Sequence, residues 1–342
     1  MTLGRLSDLP RCRLSQTATP LEPLDRLSVA NTGARIWVKR DDMQGLAFGG
    51  NKVRQLEYYF GAAQAAGADT VLITGAVQSN FCRLTAAYAA RLGMECHIQL
   101  EERVPSNDPL YRGSGNVLLD RLMGAHLHSY AAGEDETGAD RALEQIAEDL
   151  RAKGRVPYVI HLAPGHPPLG ALGYVDCAAE VLEQSAAQGL RFDLIAVSSG
   201  SGATHAGLLF GLRALGSNIP VYGICVRRPA AQQRPRLIGR CQEIADLLGV
   251  DNPVSDEDVI TNDRFLGPGY GRLNAPTERA IQLGARTEAL MLDPVYTGKC
   301  MAGALALAGN RPADENVLFI HTGGTPAIFA YANGLEPVLE PA

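Results

Sequence analysis

Hydrophobic positions along this chain switch repeatedly between a two-residue and a roughly 3.6-residue period. From Asp69 onward, short aliphatic runs alternate with longer amphipathic ones. Thr70-Val71-Leu72-Ile73 reads as a strand, 79–92 as a helix and 96–100 as a strand. After a polar loop at 105–112 come helix 115–123, strand 126–129, helix 138–153 and strand 157–161. Gly165 to Pro168 breaks the pattern, and helix 169–187 follows. The second series is strand 192–198, helix 203–215, strand 220–225, helix 230–249, strand 257–260, helices 276–285 and 297–308, strand 316–320 and helix 325–332. Upstream, the apolar run Ile36-Trp37-Val38 leads into a charged turn, Lys39-Arg40-Asp41-Asp42. A helix then opens near Lys52, with Leu56, Tyr59 and Phe60 spaced to face a core. The proline-rich tail after Asn333 reads as weakly ordered. This alternation predicts an α/β fold of open, mostly parallel sheets with helices on both faces.

Composition narrows the class. The 342 residues are enough for two lobes, and 46% hydrophobic with 20% charged residues is a globular profile. A net charge of −6 argues against a nucleic-acid partner. No apolar run is long enough to cross a bilayer, and residues 1–20 carry no apolar secretory core. Seven scattered cysteines, an odd number without a Cys-x-x-Cys pair, suit the reduced thiols of a cytoplasm. Cys177, Cys225 and Cys300 read as small core residues. His126 and His128 alternate along one strand with no third ligand at suitable spacing, so they read as solvent-facing and no metal site is expected.

Ligands of open α/β sheets bind where strand ends meet helix starts. Four such junctions stand out. In Gly49-Gly50-Asn51-Lys52, two glycines permit a sharp turn, and a lysine at a helix start meets the positive end of the helix dipole. That favours the neutral amine, the form able to attack a carbonyl. Its bland reading is a surface lysine after a turn. In Thr74-Gly75-Ala76-Val77-Gln78-Ser79-Asn80, free N–H groups, a hydroxyl and an amide can hold an anionic oxygen; the bland reading is an N-cap by Ser79. The segment 198–207, rich in Gly, Ser and Thr, forms a phosphate cradle of N–H donors. It partly resembles a dinucleotide fingerprint, with Arg227-Arg228 ending the next strand, so an NADP-linked oxidoreductase competes on this stretch alone. The fourth junction comprises 293–299 and His321-Thr322-Gly323-Gly324. There Tyr296 can cover a planar ring, and Thr297 or Thr322 can bond a ring nitrogen. Tyr270 sits in a glycine-rich loop, 267–271, where a structural role competes with a catalytic one.

An attacking lysine, a phosphate cradle, an amide for a phenolate oxygen and a hydroxyl for a pyridine nitrogen together describe a pyridoxal phosphate site. A dinucleotide would leave Lys52 and the Ser79-Asn80 turn idle. The chain resembles the D-cysteine desulfhydrase / 1-aminocyclopropane-1-carboxylate deaminase family, which includes L-cysteate sulfo-lyases and has the tryptophan synthase β-like fold of pyridoxal phosphate enzymes. The resemblance runs from Thr19-Pro20-Leu21-Glu22 through Lys39 to Asp42, Gly49 to Lys52, Gln78-Ser79-Asn80, Gly170 to Tyr174, the 199–207 loop, Pro268 to Gly271 and Asp293 to Lys299 to His321–Gly324. It implies two mostly parallel sheets, with 1–52 and 162–342 as a large cofactor domain and 53–161 as a small one. It implies further that Lys52 forms the Schiff base and removes the α-proton. Asn80 bonds the phenolate oxygen, and Gly200, Ser201, Gly202, Ala203 and Thr204 hold the phosphate. Tyr296 stacks on the ring, beside Thr322. Ser79, Asn80, Gln78, Phe81 and Tyr270 face the substrate, with Ser79, Tyr270 and Tyr296 assisting catalysis. A homodimer is implied as well.

The deaminases carry a glutamate after the tyrosine matching Tyr296 and a leucine at the position of Thr322. Thr297 and Thr322 are the desulfhydrase-like pair, and they point to α,β-elimination from a small sulfur-bearing amino acid. Opening a cyclopropane that has no α-proton needs a carboxylate to keep the pyridine nitrogen protonated. Two segments depart from the family pattern: Phe81-Cys82, and Pro164-Gly165-His166-Pro167-Pro168 in place of a Gly-Gly-Ser-Asn run. They point to a pocket reshaped for another leaving group, or to cofactor binding without turnover; deamination of the cyclopropane acid, disfavoured by the threonine pair, is the remaining alternative within the family.

Overall fold

A computed structural model describes residues 3–14, 18–163 and 165–339. Pro164 and the last three residues of the tail, for which the sequence gives expectations, lie outside the described residues. Among the described residues, ten strands form two sheets. They are β1 (Leu21–Pro23), β2 (Arg35–Lys39), β3 (Thr70–Ala76), β4 (Glu95–Glu101), β5 (His126–Tyr130), β6 (Pro157–Ile160), β7 (Leu194–Ser199), β8 (Val221–Cys225), β9 (Ile260–Asn262) and β10 (Asn316–Ile320). The larger sheet has the order β1-β2-β10-β7-β8-β9 and is parallel except for β1, which pairs antiparallel to β2. The smaller, β5-β4-β3-β6, is parallel throughout. The fold is thus two mostly parallel sheets flanked by helices.

The central strands are apolar on both faces because both faces are covered. On β7, Ile195 and Val197 pack with Leu172 and Leu208, while Leu194 and Ala196 pack with Met301 and Ala304 on the other side. β10 divides in the same way, Leu318 and Ile320 against Val317 and Phe319. In the smaller sheet, Val71 and Ile73 meet Leu56 and Phe60, whereas Leu72 meets Leu143, Ala147 and Leu150.

Local chemistry explains where the elements differ from their sequence signals. β1 and the helix Asp25–Asn31 were not predicted; the strand has three residues, and the helix buries only Leu27. Within the polar loop, Asp108 caps a short helix, Pro109–Gly113, by accepting from Leu110 N at 2.9 Å. The strand expected at 257–260 begins only at Ile260, because Ser255 and Asp258 close a capping box over the acidic turn Asp256–Asp258. The tail after Asn333 is helical as far as Leu339, contrary to expectation.

A buried polar cluster ties β2 to the helices behind it. Asp41 accepts from Arg54 Nη2 at 2.9 Å, from Thr19 Oγ1 at 2.8 Å and from the Tyr174 hydroxyl. Lys39 pairs with Glu180, which Arg54 also holds at 2.8 Å. The family motifs around Asp41 and Tyr174 therefore fix the start of the Lys52–Ala65 helix.

Candidate active site

The turn before Lys52 is built from glycines in left-handed conformations, with φ of +60° at Gly49 and +115° at Gly50. A Cβ on Gly50 would lie 2.9 Å from Thr322 O, so only glycine lets this turn press against the end of β10. Asn51 N donates to that same carbonyl at 3.0 Å. Lys52 is the first residue of its helix, and its Nζ contacts Gln55 Oε1 at 3.2 Å and the Phe81 ring, 4.8 Å from the centroid. With no carboxylate beside it, desolvation pushes the amine down to about 7.

Lys52 lines a cleft between the two sheets, beyond the carboxyl ends of β3 and β7. Thr74, Gly75, Ser79, Asn80 and Phe81 form one wall; Gly200, Ser201, Gly202 and Thr204 form the other. Gly202 caps the helix Ala203–Ala214 with φ of +99°, leaving the N–H groups of the first turn without intrahelical partners. Thr204 Oγ1 accepts from both Asn51 Nδ2 and Gln55 Nε2 at 2.8 Å, joining this turn to the lysine turn. Ala203 is not part of the cleft lining, but it supplies a first-turn N–H.

Ser79 combines its two readings. Its hydroxyl caps the helix Asn80–Leu92 by accepting from Cys82 N at 3.2 Å, and it also lines the cleft. The Asn80 Oδ1 accepts from Arg83 Nη1 at 2.9 Å and Asn116 Nδ2 at 3.0 Å. That fixes the amide orientation and leaves its Nδ2 donors without a protein partner among the described residues. Gln78, by contrast, is not in the cleft. Its amide holds Tyr111 O at 2.6 Å, Ser114 O at 3.0 Å and Asn116 N at 2.9 Å, so it braces the segment carrying Asn116 instead of meeting a substrate.

The Tyr270 and Tyr296 hydroxyls lie 2.6 Å apart, their rings edge-on, and both line the cleft. Burial pushes the Tyr270 phenol up, with Arg103 pulling it back. Lys299 pins the glycine loop by donating to Leu266 O and Gly269 O, each at 2.7 Å. Thr322 lines the cleft with its hydroxyl unpartnered among the described residues, whereas Thr297 is wholly buried and bound to Asp293 at 2.7 Å. Of the two threonines offered by the sequence, Thr322 is the one available to a ring nitrogen.

These residues suit pyridoxal phosphate. A half-buried amine lowered to about 7 shares one cleft with a helix-start cradle for a phosphate, an unpaired amide and an unpaired hydroxyl. Sequence reasoning missed the orienting roles of Asn51, Gln55, Arg83 and Asn116, and two arginines of the far wall, Arg103 and Arg236. Arg227 and Arg228, weighed as a 2′-phosphate site, are committed to Glu136 and, for Arg227, also to Glu134. Neighbouring strands bring Glu95 and His97 to His126, a grouping that the sequence spacing did not show.

Comparison with known proteins agrees with this geometry. The model of the family described as pyridoxal-phosphate dependent enzyme matches residues 13–323. A D-cysteine desulfhydrase of Yersinia enterocolitica is 43% identical over 97% of this chain and 99% of its own length. A 1-aminocyclopropane-1-carboxylate deaminase of Burkholderia vietnamiensis is 42% identical, covering 96% of this chain and 98% of its own. Among solved structures, one described as an ACC deaminase homologue superposes with a TM-score of 0.87 at 37% identity, covering 98% of each chain. O-ureido-L-serine synthase shares the fold, with a TM-score of 0.65 at 18% identity over 97% of this chain and 96% of its own.

Proposed function

The chain belongs to the family of pyridoxal-phosphate-dependent enzymes, and we propose that within it this protein is a lyase eliminating a sulfur group from a small amino acid. The observation carrying this reading is the Lys52 amine, shifted to about 7, in one cleft with the Gly200–Thr204 turn. Pyridoxal 5′-phosphate supplies the electron sink that lets an α-proton and a β-substituent leave.

The residues divide the remaining work. Desolvation lowers the Lys52 amine to about 7, so a large share of it is uncharged at neutral pH and able to take the α-proton. The N–H groups of the Ser201–Thr204 turn at the start of the helix Ala203–Ala214 would hold the phosphate, and Asn80 Nδ2 would donate to the phenolate oxygen. Ser79 has accepted one bond from Cys82 N and keeps its own proton for the substrate carboxylate. Thr322 bonds the ring nitrogen without imposing a charge. The hydrogen-bonded Tyr270 and Tyr296 hydroxyls, both kept protonated by burial, would supply a proton to the departing sulfur. Water is consumed overall, giving pyruvate, ammonia and sulfide or sulfite.

A cysteate-type substrate is supported by the far wall. Arg103, paired with Glu101, and Arg227, paired with Glu134 and Glu136, both line the cleft, and Arg227 Nε has no partner among the described residues; a bound sulfonate, leaving as sulfite, needs cationic groups of this kind. Cyclopropane opening, the activity named for the Burkholderia relative, is disfavoured by Thr297, which is bound to Asp293 and offers the ring no carboxylate. The same reading makes 1–52 and 162–342 the cofactor domain and 53–161 the smaller one. It makes the protein a cytoplasmic homodimer, supported by exposed Leu118, Leu122 and Phe329 on helices that touch; among the described residues no helix is long and apolar enough to cross a membrane.

The test is a panel of D- and L-cysteine, D- and L-cysteate, β-chloroalanine, serine and 1-aminocyclopropane-1-carboxylate. Pyruvate together with sulfide or sulfite is expected. A four-carbon 2-oxo acid from the cyclopropane substrate, without pyruvate from the sulfur compounds, would overturn the reading. Cofactor retention with no product at all would leave a binding protein without turnover.

A further inference from the structure

Beside the cleft, two histidines and two carboxylates converge. Asp140 and Glu144 lie one turn apart on the helix Glu136–Ala152; His161 follows β6, and His166 sits in the turn before the helix Leu169–Ala187. Glu144 Oε1 holds His161 Nε2 at 2.9 Å, while Arg151 pairs with the other Glu144 oxygen at 3.7 Å. This bond places the proton of a neutral His161 on Nε2 and leaves the Nδ1 lone pair free. That Nδ1 is buried and has no hydrogen-bond partner. It lies 3.6 Å from Asp140 Oδ2, and His166 Nε2 lies 3.7 Å from the same oxygen. The three ligand atoms all fall within 4.8 Å of one another.

Those separations are long for hydrogen bonds and close to those around a small cation. Two ligands at ~2.0–2.1 Å from a tetrahedral zinc are about 3.3–3.4 Å apart. The two separations from Asp140 Oδ2 are within a few tenths of an ångström of that spacing, and chelation further requires the two stacked rings, now 3.8 Å apart at 8°, to tilt and bring their nitrogens together. A carboxylate behind a metal-binding imidazole is a common supporting contact. We propose that Asp140, His161 and His166 bind one divalent zinc-class cation, with Glu144 holding His161 in the ligating tautomer. Two imidazoles and one carboxylate favour zinc, cobalt or nickel over magnesium or calcium and leave a fourth position for water. Asp140 also lines the cleft, so the ion sits at its rim.

The other grouping, Glu95 with His97 and His126, lacks the orphaned nitrogen. Both ring nitrogens of His97 are bonded, and Arg155 takes Glu95 Oε2 at 2.7 Å. It therefore provides a control.

The experiment is a Co²⁺ titration of chelator-treated, dialysed holoenzyme, read by the visible d–d band and by calorimetry. One Co²⁺ per chain, displaced by Zn²⁺, is expected. His166→Gln and Glu144→Gln should each weaken binding about 10–100-fold, and His126→Gln should leave it unchanged. Cofactor absorbance and circular dichroism check that each variant is folded. No saturable band in the parent protein, or binding unaltered in His166→Gln, would overturn the proposal.

Discussion

Asn80 can serve a cofactor because two residues, one on its own helix and one distant in sequence, turn its amide. Arg83 and Asn116 both donate to Oδ1, so the Nδ2 donors are the ones left free. Asn116→Ala removes one of the two and should weaken pyridoxal phosphate binding about tenfold, the effect of one charge-assisted hydrogen bond of ~1.5 kcal/mol. Equilibrium dialysis of the cofactor measures it; unchanged affinity would mean that Arg83 alone suffices. Lys52, Ser79 and Asn80 were legible in the sequence because each sits at a strand-to-helix junction with its chemistry displayed locally. Asn116 was not, since it lies 36 residues from Asn80 and meets it only after two chain reversals. The Gln78 reading failed for a related reason. A polar side chain next to a site residue looks the same in sequence whether it faces a ligand or a neighbouring backbone.

The cradle depends on how closely the helix Ala203–Ala214 packs against Leu169–Ala187. A Cβ on Gly207 would meet Ala171 O at 2.1 Å, so Gly207→Val must push the helices apart. It should destabilise the fold by about 1–3 kcal/mol, measured by urea unfolding, and weaken phosphate retention as well. Normal stability would show that the helix pair can move freely. At this scale most helices and strands were readable from periodicity, which both sheets and their flanking helices share. The exceptions were elements defined by capping instead of a buried stripe, such as Pro109–Gly113 and Asp256–Asp258, and the edge strand β1, too short for a period to register.

Across the whole molecule, Glu136 links the smaller sheet to the larger. From the helix Glu136–Ala152 it bonds Arg227, Arg228 and Arg236, and it lines the cleft along with Arg227 and Arg236. Burial opposes its charge, but Arg236, Arg228 and Arg227 together hold it below the ordinary glutamate value. A carboxylate with a depressed folded-state pKa stabilises above its unfolded value and loses that contribution as pH falls through the folded one. The link should therefore hold at neutral pH, begin to weaken only below the ordinary glutamate value of 4.5, and be lost as pH falls through the lower folded value. Glu136→Gln should raise the substrate KM about tenfold at pH 7, equivalent to ~1.4 kcal/mol, with a smaller change in kcat. Steady-state kinetics on whichever sulfur amino acid the panel selects would check this, and an unaltered KM would show that the two walls hold their spacing without Glu136.

Every role assigned in the cleft requires that the amine at position 52 is the one that captures the cofactor aldehyde. Borohydride reduction of the holoenzyme, followed by peptide mass mapping, tests this directly. One phosphopyridoxyl group on Lys52 is predicted, and none on Lys52→Ala. A label on Lys39 or Lys299, or a coloured protein with no reducible bond, would contradict the account.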